Sequence, residues 1–104
     1  MTREPIACSL SAAELPARQD QIRALGHDGL ISIEQEPGRA VLRFGAGAEL
    51  RQRIDRFVEA ERRCCAFLDF RVEDDGDGTR VTIAAPPGGE PVLEGLAELL
   101  STPA

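Results

Sequence analysis

Cys64 and Cys65 stand side by side, one helical turn after Glu61, and Cys8 is the third and last thiol of the sequence. An odd number of thiols is not a disulfide framework. The chain has one His and one Met, so a site for a soft metal ion would be built mostly from thiolates. Three converging sulfurs suit thiophilic ions such as Hg(II), Cu(I) or As(III), whereas structural Zn(II) normally takes a fourth ligand. His27 is the one imidazole that could be that ligand, but it sits in the turn Gly26-His27-Asp28-Gly29 and is expected to face solvent. Cys8, Cys64 and Cys65 are therefore the candidate metal ligands.

Each of these residues also has a plainer reading. Cysteine is a common small core residue, so the pair could serve packing alone. Two neighbours at a helix end are not expected to both turn fully inward, however, and Arg62 and Arg63 lie beside them. Guanidinium charge favours a thiolate, and the partial negative charge of a helix C-terminus opposes it. Cys8 lies three residues before Ser11, at the approach to a helix N-terminus, where an anionic sulfur is favoured.

Glu61 is placed by the helix that must carry the pair. At about 100° per residue from Leu50, Ile54, Phe57 and Val58 form one apolar stripe. Glu61 falls near ~20°, in the middle of that stripe, with Cys64 near ~−40° and Cys65 near ~60° on either side. A carboxylate on a buried line is costly unless it is paired or bound. Glu61 is expected either to pair with an arginine of the first helix, Arg18 or Arg23, or to back the thiols as hydrogen-bond and proton acceptor. The two roles are compatible.

The remaining elements follow from periodicity and turn chemistry. Ser11-Ala12-Ala13-Glu14 is a capping box, and Leu15, Ile22 and Leu25 continue at helical spacing until Gly26-His27-Asp28-Gly29. Leu30 to Glu36, with Ile31 and Ile33 on one face, turns at Pro37-Gly38 into Ala40 to Phe44, a β-hairpin. The second helix runs from about Ala48 to the cysteines. Leu68, Phe70 and Val72 then alternate with polar residues, Asp74 to Gly78 turns, and Val81, Ile83 and Ala85 alternate again. Pro91 opens a last helix with Val92, Leu93, Leu96, Leu99 and Leu100. The expectation is a single α+β domain over residues 1–104: helix, hairpin, helix, hairpin, helix, with one four-stranded antiparallel sheet covered by helices on one face. The bare face could serve a homodimer. The acidic run Glu73-Asp74-Asp75-Gly76-Asp77-Gly78 lacks the EF-hand order and reads as a hairpin turn.

Composition narrows the partners. A formal charge of −6 argues against nucleic acid, and with neither Trp nor Tyr the chain has no stacking platform built from them. No apolar run reaches membrane-span length, and the first residues lack the apolar core of a signal peptide, so a cytoplasmic location is expected.

Cys8-Ser9-Leu10-Ser11 with Glu14-Leu15, then Leu42-Arg43-Phe44, then Glu61-Arg62-Arg63-Cys64-Cys65-Ala66-Phe67-Leu68 resembles a group of small bacterial proteins. These have a Cys-Ser-Leu start and a Glu-x-x-Cys-Cys-Pro-Phe core and are associated with mercury and other heavy-metal resistance. Ala66 stands where that group usually has Pro, which leaves the helix end less sharply fixed. The resemblance implies a cytosolic thiol-based binder of a metal or metalloid. The leading expectation is sequestration or hand-off of a soft ion through Cys8, Cys64 and Cys65, with a thiol-containing transfer partner. The alternative is a thiol-disulfide redox enzyme, or an organometal-processing one, using Cys64 and Cys65 with Glu61 as proton shuttle. A structural interaction module with incidental thiols is the third reading.

Overall fold

The computed structural model describes residues 15–101. Its elements are α1 (Leu15–Gly29), β1 (Leu30–Glu36), β2 (Arg39–Phe44), α2 (Ala48–Cys64), β3 (Asp69–Asp75), β4 (Gly78–Ala84) and α3 (Glu90–Ser101). The strands form one antiparallel sheet in the order β1-β2-β4-β3. This is the α+β architecture that the periodicity predicts. The capping box Ser11–Glu14 lies outside the described residues.

Alternation sorts the sheet into two faces. Ala40, Leu42 and Phe44 on β2 pair with Ile83, Val81 and Thr79 on β4, and all six are buried. Phe70 on β3 joins them opposite Ile83, and its ring meets Phe57 of α2 edge-on at 6.4 Å. Ile22 and Leu25 of α1, Ile54, Phe57 and Val58 of α2, and Leu93, Leu96 and Leu100 of α3 complete the core. The opposite face carries Glu34, Arg39, Val41, Arg43, Arg71, Glu73, Arg80 and Thr82, a charged surface that no described helix covers. The turns are made where expected, with Gly38 and Gly76 at positive φ of 76° and 65°, which glycine adopts without steric cost.

One local expectation is corrected. Ile31 does not share the core face with Ile33: it is exposed, while Leu30 and Ile33 pack inward. The pairing with β2 shifts register between Leu30 and Ser32, and one extra residue in a strand reverses which side chains face in. The first helix ends at Gly29, within the Gly26-His27-Asp28-Gly29 segment expected to end it. A Cβ at Gly26 would collide with the Leu100 carbonyl, so this glycine serves the close approach of α1 to α3.

Surface arginines tie α2 to its surroundings. Arg51 bonds Asp55 on its own helix and Asp74 at the second hairpin turn, and Arg53 bonds Asp28 at the end of α1. Hydrogen bonds to Asp74 and Asp55 hold the Arg51 guanidinium above its ordinary pKa. The acidic turn is thus occupied by arginines, with Arg43 on Asp75 and Arg80 on Glu73.

Candidate functional site

Helix α2 delivers its last turn to the gap between α1 and α3. Glu61 is 3 % exposed, Cys64 7 % and Cys65 1 %, so all three are buried. The wheel places Glu61 correctly. Its placing of Cys64 and Cys65 on either side of Glu61 agrees with their burial, although the helix ends at Cys64 and Cys65 caps it with φ −124° and ψ 69°. The expectation that two neighbours at the helix end would not both turn fully inward is corrected, since both are buried. The cap is held by the Cys65 amide donating to the Glu61 carbonyl at 2.6 Å and by the Leu68 amide donating to the Cys65 carbonyl at 3.0 Å.

The buried carboxylate has its cation. Arg18 of α1 donates from Nε and Nη2 to the same Glu61 oxygen, Oε2, at 3.0 and 2.7 Å. Nη2 also reaches the Phe57 carbonyl at 3.3 Å, and the guanidinium lies over the Phe57 ring at 5.9 Å from its centroid. With Oε2 committed to Arg18, Oε1 faces the sulfurs and lies 3.8 Å from Cys65 Sγ. Of the two helix-1 arginines offered by the sequence, it is Arg18 that pairs, while Arg23 bonds Asp20. Arg62 and Arg63 are spent elsewhere: Arg62 donates to the Phe70 carbonyl and Arg63 reaches Glu59.

The Cys64 and Cys65 sulfurs are 3.8 Å apart, far beyond the roughly 2.05 Å of a disulfide, so they are not bonded to each other. Cys64 is a free thiol and Cys65 is disulfide-bonded. Cys8 lies outside the described residues. His27 is exposed, as expected, and is not among the clustered groups.

Among the described residues Glu61, Cys64 and Cys65 form a group able to hold a metal ion, with ligand atoms all within 4.8 Å of one another. The sulfur spacing bears on which coordination it suits. With metal–sulfur bonds of about 2.3 Å, the value for zinc, two sulfurs 3.8 Å apart subtend roughly 110° at the ion. That is the angle of a three- or four-coordinate centre. A linear two-coordinate ion would need the sulfurs about 4.6 Å apart at the same bond length.

The group lines one end of a cavity of about 350 Å³. Its other walls come from α1 and α3: the apolar Ile22, Val92, Leu96 and Leu99 with Gly95, and the polar Arg18, Gln19 and Glu98. The sequence signals for this cavity were weak, since Val92, Leu96 and Leu99 read as ordinary core. A glycine inside the α3 pattern was the one trace of it.

Among the described residues no helix is long and apolar enough to cross a membrane. No protein-family model, curated protein or solved structure matches this chain.

Proposed function

We propose that this protein binds one soft metal or metalloid ion, Hg(II), Cu(I) or As(III), in the cytoplasm, through Cys64 and Cys65 with Cys8 as the third sulfur. Its role in this reading is sequestration or hand-off to a thiol-bearing partner. The observation that carries the reading is the convergence of two sulfurs and a carboxylate in one buried cluster. The spacing of the sulfurs supports a third ligand rather than a linear pair. Cys8 is the third cysteine of the sequence, and Cys65 is disulfide-bonded. Loading then follows reduction: two small thiols deliver two electrons and two protons to the disulfide, leave as their own disulfide, and free both cysteines. Glu61, anchored by Arg18, is a fixed acceptor behind the sulfurs. The resemblance to small heavy-metal-associated bacterial proteins points the same way.

The test is titration of the reduced full chain with Hg(II). Without Trp or Tyr, sulfur-to-metal charge transfer stands out in the ultraviolet. One ion per chain is expected, with affinity lowered at least tenfold by Cys8→Ser, Cys64→Ser or Cys65→Ser. If none of the three changes the titration, the reading is wrong. If only Cys8→Ser is silent, the site has two sulfurs.

One observation favours a second reading, thiol-disulfide exchange: a free Cys64 thiol stands 3.8 Å from a disulfide-bonded sulfur. The Cys64 thiolate would attack Cys65, forming a Cys64–Cys65 bond and expelling the former partner as a thiolate. The Cys64 proton passes to the expelled sulfur, with no net oxidation. Mild oxidation followed by alkylation and peptide mapping should trap the Cys64–Cys65 disulfide, and its absence counts against exchange.

A further inference from the structure

The apolar end of the cavity beside the sulfurs is the part of the site that a bare ion leaves unused. Resting on the reading of Cys64 and Cys65 as ion ligands, we propose that the site takes a soft centre carrying one apolar organic group, a monoaryl arsenic(III) species being the type case. The sulfurs hold the arsenic and the organic group fills the cavity between α1 and α3.

Three observations converge on this. The first is size. About 350 Å³ is within the range of small-ligand pockets, and a dry cavity of roughly 150 Å³ already accepts benzene. The second is lining. Beside the thiols and Glu61, the hydrocarbon of Ile22, Val92, Leu96 and Leu99 borders the cavity, together with Arg18, Gln19 and Glu98. An ion alone has no use for that hydrocarbon.

The third is Gly95. It lies inside α3, where glycine weakens a helix relative to alanine. Close packing does not require it: among the described residues, nothing lies within 4 Å of a Cβ built there. Gly26 is the contrast, since its missing side chain is filled by the Leu100 carbonyl. At Gly95 the missing side chain leaves space, and that space is the cavity.

The chemistry balances without a redox step. A monoaryl arsenic(III) dihydroxide exchanges its two hydroxyls for the Cys64 and Cys65 sulfurs. Two As–S bonds form, two As–O bonds break, and the thiol protons leave in two waters. Arsenic remains trivalent and the carbon–arsenic bond is untouched.

The test compares phenylarsine oxide with arsenite on the reduced full chain, followed by ultraviolet charge transfer. The phenyl-to-arsenite affinity ratio is divided by the same ratio for dithiothreitol, which removes the intrinsic preference of dithiols. The wild-type ratio is expected to exceed that of dithiothreitol at least tenfold. Gly95→Leu, which fills the cavity from α3, should bring the ratio down tenfold and leave arsenite affinity within twofold. Leu99→Phe adds volume from the next turn of α3 should Gly95→Leu fail to fold by circular dichroism. If arsenite binds and neither filling variant changes the ratio, the organic-group site is wrong and the ion site stands. If neither arsenical binds, the ion-binding reading itself fails.

Discussion

Arg18 and Glu61 are the costliest residues to alter singly. A buried ion pair contributes little net stability over an apolar isostere, but removing one member leaves the other charge without compensation. Glu61→Gln and Arg18→Met should each destabilise the reduced protein by about 3 kcal/mol in urea unfolding, and the double variant Arg18→Met/Glu61→Leu should recover most of it. Independent losses that simply add would show that the two side chains act separately. The position of Glu61 was legible because seventeen residues of regular helix precede the cap, and a wheel is reliable over such a run. What the wheel did not carry was that both cysteines turn inward, because Cys65 caps the helix and its backbone is no longer helical. The choice of Arg18 over Arg23 depended on how α1 docks, which spacing within α1 does not contain.

Elements carry the contrast between two glycines. Gly26→Ala should lower stability by about 1–3 kcal/mol, because the new methyl group meets the backbone of α3. Gly95→Ala should raise it by about 0.5–1 kcal/mol, because the methyl group enters open space and the helix gains propensity. Thermal unfolding of the two variants side by side reads the sign of each. From sequence alone Gly26 belonged to the segment that ends the first helix, and Gly95 carried no assigned role. What separates them is the neighbour across the interface, a tertiary fact. The two hairpins were legible because alternation and turn residues are local. The face taken by Ile31 was not, since a single inserted residue upstream of Ile33 reverses the alternation without any compositional mark.

At the scale of the whole molecule, stability couples to redox state. A 104-residue chain buries a modest core, so a cross-link counts. Reduction of the Cys65 disulfide removes a constraint on the unfolded chain, worth about 2–4 kcal/mol in the chain-entropy model. Urea unfolding with and without reductant should show a lower midpoint on reduction, and Cys65→Ser should show no such difference between the two conditions. An oxidised and a reduced midpoint that coincide would exclude a stabilising cross-link. The charged outer face of the sheet lies away from this chemistry, with its arginines interleaved among Glu34 and Glu73. It was largely readable from alternation, since most strand residues there are polar, with Val41 an exception.

Burial of the sulfurs, with Cys65 at 1 % and Cys64 at 7 % exposure, has a kinetic side. A collector must come within bonding range to take cargo away, and girth governs entry. A slender monothiol can insert one sulfur and displace ligands in turn. A broad multi-armed chelator has to wait until the surrounding helices breathe. Under the proposed ion-binding function, unloading is therefore expected to be paced by the shape of the acceptor more than by the strength of its grip.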